Sequence, residues 1–255
     1  MFEPLAVCLF GLIIGSFCNV VVYRLPAGES IVIPGSHCRA CSKPVRPRDN
    51  IPVLSYILLG GRCRACKERI PLRYPCVEFA TGALYVLLWL KQGLTPAFAA
   101  YALLTSMLVV IALIDLDHQI IPNYITLPGM VVGLGLSVRI LPLPLLLGSS
   151  LLASLTGLLA GGLLFYAVAL ISRGGMGGGD IKLIAMIGAF LGWQGAFFTI
   201  FVAALTGSLV GITLMLLGRR GRKDKIPFGP YLSLGAIVFT LMGDELIAWY
   251  VAQTF

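Results

Sequence analysis

The sequence predicts an all-α polytopic membrane protein with about eight transmembrane helices and a small cysteine-bearing cytoplasmic domain. Three features predict it. The 255 residues are 58% hydrophobic and 12% charged, against about a quarter charged in an ordinary soluble domain. Apolar runs long enough to cross a bilayer recur along most of the chain, mostly without the polar face of a soluble core helix. The charge that remains is gathered into a few loops.

The spans fall in order at 5–23, 77–90, 97–114, 124–138, 149–171, 180–191, 196–217 and 231–251. The first has neither a basic segment before it nor a small-residue cleavage site after it, so it reads as a retained span rather than a signal peptide. Proline and glycine mark the ends of several others: Gly93 and Pro96, Pro122, Pro142 and Pro144, the run ending in Gly179, and Gly192 with Gly195.

A formal charge of +8 invites a nucleic-acid reading, but the placement of charge opposes it. Ten of the nineteen Lys and Arg lie between Arg24 and Arg73, and five more between Arg219 and Lys225. Two basic loops of this kind obey the positive-inside rule. With the N-terminus outside, the loops at 24–76, 115–123, 172–180 and 218–229 are cytoplasmic. The outer loops then keep only Lys91 and Arg139. No nucleic-acid partner is expected; attraction to anionic headgroups is a secondary effect. The chain divides into a first span at 1–23, a cytoplasmic domain at 24–76 and a seven-span domain at 77–255.

Four of the seven cysteines form two Cys-x-x-Cys pairs: Cys38 with Cys41 and, after twenty-one intervening residues, Cys63 with Cys66. In a reducing compartment such paired knuckles supply four thiolates to a tetrahedral zinc. Four protein ligands leave no position for substrate, so the zinc is structural. His37 is a fifth neighbour. Cys8 and Cys18, within apolar sequence, read as small core residues.

Acidic residues number only eleven, and three of them fall at one predicted membrane face. Asp115 and Asp117 follow the third span, and Asp180 opens the sixth. A carboxyl at a membrane boundary is a functional candidate by default. Two facing carboxyls share a proton, one activating water and the other donating to a peptide carbonyl. Asp115 and Asp117, two apart, do not share a helical face, so at most one of them reaches Asp180. The plainer roles are an N-cap for Asp180, solvated carboxylates for the other two, and a surface residue for His118. A proton-coupled transporter would need acids near the bilayer midplane. An assembly scaffold would leave the glycines before Asp180 without a purpose.

Gly177-Gly178-Gly179-Asp180 resembles the Gly-x-Gly-Asp signature of intramembrane aspartic peptidases. The stretch from Asp115 to Ile121-Pro122-Asn123 resembles the second signature of type IV prepilin peptidases, in which an Asp stands six residues before such a triplet. That count selects Asp115 over Asp117. Gly11, Gly15-Ser16-Phe17, Asn19 and Arg24-Leu25-Pro26 resemble the family's first span. Asn50-Ile51-Pro52, Ser55, Gly60 and the run from Arg73 to Glu78 resemble its cytoplasmic domain, and Ile226-Pro227-Phe228-Gly229-Pro230 the motif before its last span. Arg39 departs from the pattern, which usually has Pro there.

The resemblance implies a membrane aspartic endopeptidase of the bacterial inner membrane. Its catalytic residues are Asp115 and Asp180, and it removes the basic leader from prepilin or pseudopilin precursors. It also implies N-methylation of the new N-terminus with S-adenosylmethionine, for which Asn19, Arg73 and Glu78 are the candidate residues; the alternative is a peptidase alone. No nucleotide-binding fingerprint is present in the sequence itself.

Overall fold

The computed structural model describes residues 2–142, 149–172, 175–218 and 226–254. Parts of three expected loops, at 143–148, 173–174 and 219–225, lie outside them. The chain forms two compact units, Met1–Leu94 and Thr95–Phe255. Among the described residues the regular structure is helical, apart from two isolated β-bridges.

The first unit pairs α1 (Glu3–Arg24) with α3 (Arg73–Gln92). Glycine brings them together. A Cβ on Gly11 would stand 2.8 Å from the Gly82 Cα, and one on Gly15 would stand 2.7 Å from the Glu78 Cα. Glycines four residues apart on an apolar helix allow this backbone approach. Asn19 continues the same face by another four residues, and its Nδ2 donates to the Tyr74 carbonyl at 3.1 Å.

Between these helices the chain makes a single 3-10 turn, Pro47–Asp49, and the short α2 (Leu54–Leu58). Two matching hairpins flank them. In the first, Cys38 N–H donates to Lys43 O and Ser42 N–H to Cys38 O; in the second, Cys63 N–H donates to Glu68 O and Lys67 N–H to Cys63 O. Ser42 and Lys67, each four residues after the first cysteine, both have positive φ, 55° and 61°.

The second unit contains α4 (Pro96–His118), α5 (Asn123–Ser137), α6 (Ser150–Ile171), α7 (Gly178–Leu216) and α8 (Gly229–Thr254). The Thr95 and Ser149 hydroxyls cap α4 and α6, accepting N–H groups of Phe98 and Leu152 at 3.2 Å; such side chains satisfy amides that a helix start leaves free. The first half of α7 forms the core, with Leu183, Ile184, Met186, Ile187 and Phe190 wholly buried. The whole helix α7 packs against α5, α6 and α8. Gly157 of α6 and Gly188 of α7 meet backbone to backbone, leaving no room for a Cβ on either.

The turn expected at 192–195 contracts to one residue. Gly192 alone leaves the helical region (φ 70°, ψ −177°), and helix resumes at once on either side. Only glycine takes this φ without steric cost, so α7 is redirected without a loop. Among the described residues, four helices, α1, α4, α6 and α7, are long and apolar enough to cross a membrane, and α8 has a shorter apolar stretch, Gly229–Gly243.

Candidate functional site

In the second unit, residues from three separate stretches meet. Asp115 sits in the last turn of α4, 5% exposed. Its Oδ2 accepts the Gly229 N–H at 2.8 Å, across 114 residues of sequence. A Cβ on Gly229 would stand 2.7 Å from that oxygen. The Ile-Pro-Phe-Gly-Pro stretch thus packs its glycine against the carboxylate and supplies one hydrogen bond to it.

Asp180 lies in the first turn of α7 and is half-buried. Gly177 holds the N-cap position, and the Asp180 backbone N–H donates to its carbonyl at 3.1 Å. Asp180 therefore occupies the third helical position rather than the N-cap. The Asp115 carboxylate is near enough to act electrostatically on Asp180. Asp117 and His118 are exposed.

The start of α7 is fitted against the start of α5. A Cβ on Gly179 would lie 2.8 Å from the Ile121 Cβ, so this position has space for glycine only. Three residues on, Lys182 Nζ donates to Asn123 Oδ1 at 2.8 Å. The glycine-Asp stretch and the Ile121-Pro122-Asn123 triplet therefore touch at two points. Two interacting carboxyls, one buried and one reached from a glycine run that leaves backbone accessible, form an arrangement able to bind a water between an acid and a base.

In the first unit the four sulfurs of Cys38, Cys41, Cys63 and Cys66 all lie within 4.8 Å of one another, with Cys38 and Cys66 at 3.7 Å. Four ligands at about 2.3 Å around a tetrahedral zinc stand about 3.8 Å apart, so the cluster fits such an ion. Backbone N–H groups of Cys66 and Ala65 pull the Cys63 thiol down to about 6, while burial and the neighbouring thiols of Cys41, Cys63 and Cys38 push that of Cys66 up to about 12. His37 stands outside the cluster and turns Nδ1 to the Gly35 carbonyl at 3.2 Å. Arg64 grips Asp49 through Nε at 2.9 Å and Nη2 at 2.7 Å, tying the second knuckle to the 3-10 turn.

Beside the knuckles opens a cavity of 740 Å³, onto which Asn19, Tyr23, Arg39, Tyr74 and Glu78 face. Its size is that of a small-molecule site. Glu78, 8% exposed, accepts the Val53 N–H at 2.7 Å. Arg73 is half-buried at the start of α3 and does not line the cavity. Arg39, visible in the sequence only as a departure from a pattern, lays its guanidinium 3.6 Å over the Tyr23 ring and 5.3 Å from that of Tyr74. That guanidinium covers the Tyr23 face, which leaves the Glu78 carboxylate to attract a cationic ligand such as a sulfonium. S-adenosylmethionine fits the cavity by volume. Tyr23, Tyr74 and Arg39 were missed in the sequence because nothing in their spacing shows that they converge.

Two family models match the chain. Residues 9–92 match the bacterial peptidase A24 N-terminal domain, and residues 102–212 match the type IV leader peptidase family. The boundary between the matches falls where the two units divide. A prepilin leader peptidase/N-methyltransferase of Aeromonas salmonicida is 36% identical, covering 96% of this chain and 93% of its own. Proteins of the same description from Pseudomonas aeruginosa and Bacillus subtilis are 36% and 35% identical, covering 97% and 95% of this chain and 93% and 96% of theirs. No solved structure shows significant similarity. With both units matched in order and relatives aligned over nearly their whole length, the chain belongs to the type IV leader peptidase family.

Proposed function

We propose that this protein removes the basic leader of type IV prepilins or pseudopilins at the inner face of a bacterial cytoplasmic membrane, and then N-methylates the exposed residue. The observation that carries the reading is the approach of Asp115 and Asp180, 65 residues apart in sequence, within a frame of glycines. In the proposed cut, one carboxylate takes a proton from water as the water attacks the scissile carbonyl. The other carboxyl protonates the carbonyl oxygen, and the departing amine then takes up a proton. Gly229 N–H fixes the orientation of Asp115.

For the second activity the cavity beside Glu78 is the proposed cofactor site. S-adenosylmethionine, when bound, supplies an electrophilic methyl group. Glu78 and Asn19 are proposed to orient the cofactor and the neutral amine that accepts the methyl. Tyr74 is proposed to offer a ring on which the adenine stacks. The proposed zinc, held by Cys38, Cys41, Cys63 and Cys66, would fix the loop that walls this cavity.

Eight spans are proposed, counting α7 as two short ones joined at Gly192. The clustering of Lys and Arg supports a cytoplasmic position for the basic loops. Incubating purified protein with a prepilin, with and without S-adenosylmethionine, tests the reading by product mass. A shortened product is expected in both cases, heavier by one methyl group only with the cofactor. An intact precursor would overturn the peptidase assignment, and an unmethylated product the second activity alone.

A further inference from the structure

Just beyond α1, the chain exposes three consecutive apolar side chains. Ile31 is 37% exposed, Val32 73% and Ile33 74%. They belong to a loop that doubles back along α1. A groove of 290 Å³ is lined on one side by Ile31 and Val32 and on the other by Val20, Phe17 and Ile13 of α1. Phe17 and Ile13 lie seven and eleven residues before Arg24, about 10 and 16 Å down the helix axis. Both are themselves about half exposed, 47% and 57%. On a helix long and apolar enough to cross a membrane, an exposed apolar face of this kind is suited to lipid.

Irregular backbone is tolerated at such a depth only where its polar groups are satisfied by the protein. This loop meets much of that requirement with two side chains. Arg24, 4% exposed at the end of α1, donates Nη1 to the carbonyls of Ser30 at 3.0 Å and Pro34 at 2.6 Å, and Nη2 to that of Gly35 at 3.1 Å. The Ser30 hydroxyl accepts the N–H groups of Val32 at 3.3 Å and Ile33 at 3.2 Å. Pro34 has no N–H. The polar backbone is drawn inward onto Arg24 and Ser30 while the apolar side chains point away.

We infer that the 31–33 loop is a membrane anchor: Val32 and Ile33 insert among lipid acyl chains alongside α1. Burying two such side chains contributes affinity without a pocket. Their protruding, highly exposed placement suits lipid, which conforms to any shape, better than a protein partner, which would need a matching concavity. This inference rests on α1 crossing the bilayer and does not depend on the peptidase reading. The anchor would hold the cytoplasmic domain at a fixed height against the bilayer.

The test places a photo-crosslinking benzophenone amino acid at Val32, at Phe17 as a lipid-facing reference, and at Lys43 as an exposed reference in the first knuckle. The full-length protein is irradiated in bacterial membranes and its mass measured. A mass shift of one phospholipid at Val32 and at Phe17, lost at Lys43, is expected. A lipid adduct at Phe17 with none at Val32 would overturn the inference, as would equal adducts at Val32 and Lys43. An adduct at Val32 with a precursor protein in place of lipid would reassign the surface to the substrate.

Discussion

Gly229 donates its backbone N–H to Asp115 Oδ2 at 2.8 Å, and its missing side chain leaves the space that the carboxylate fills. One residue thus both orients the acid and makes room for it. The start of α8 is therefore part of the candidate peptidase site, although it contributes no titratable group.

Removing either carboxyl charge tests the pair directly. Asp115→Asn and Asp180→Asn are each expected to abolish prepilin cleavage while the protein still inserts and folds. Asp117→Asn, at an exposed position, is expected to retain substantial activity. The measurement is the rate of leader removal by purified variants. Full activity in either of the first two would remove the assignment, and loss confined to Asp117→Asn would shift it by two residues.

Gly229→Ala probes orientation without touching charge. The added Cβ would stand 2.7 Å from Asp115 Oδ2, so the carboxylate must move by several tenths of an ångström or more. Misplacement on the order of 1 Å costs about 100-fold in rate. The expected outcome is a drop in kcat approaching that size, with little change in KM and normal thermal stability. A near wild-type kcat would mean that Asp115 has freedom to adjust and that this hydrogen bond does not set its position.

Metal analysis tests the four-sulfur cluster. Freshly purified protein is expected to carry about one zinc per chain, the stoichiometry of a closed four-thiolate site. Binding at such sites is worth on the order of 10 kcal/mol of folding free energy. Cys38→Ser, or chelation, should therefore loosen residues 24–76 and expose them to limited proteolysis. Protein free of metal but resistant to proteolysis there would show that the hairpins stand on their own hydrogen bonds.

Much of this arrangement is legible in the sequence, and the reasons are physical. The convergence of four cysteines follows from two short hairpins, each of which brings its pair to one tip. The α1–α3 contact is foreshadowed by Gly11 and Gly15, since glycine on an apolar helix marks a close approach. The reduction of the turn at 192–195 to Gly192 is not legible, because its identity permits a positive φ without requiring one. Nor is the position of Asp180 within its helix, which depends on whether Gly177 or Asp180 begins it. The Val53 N–H that meets Glu78 depends on a φ of 61° at a β-branched residue, a conformation its side chain disfavours and nothing in the local sequence suggests.

The two proposed activities should separate at Glu78. Its carboxylate accepts the Val53 N–H. In Glu78→Gln the amide oxygen can still accept the Val53 N–H, so the backbone there is held while the negative charge is lost. Peptide hydrolysis by a carboxyl pair in the other unit makes no use of that charge. Methyl transfer does, because the cofactor carries a positive sulfonium and the acceptor amine must be held in line with its methyl. A charge-assisted hydrogen bond is worth about 1.5–3 kcal/mol, so methylation should fall about 10- to 150-fold while cleavage stays near the wild-type rate. Asp180→Asn should do the reverse, leaving binding of S-adenosylmethionine unchanged by calorimetry while cleavage is lost. The comparison is made on a pre-cut pilin, so that methylation is measured without a preceding cleavage step. If Glu78→Gln lowered both activities equally, the residue would be a structural support of the whole chain and the cofactor site would have to be sought elsewhere.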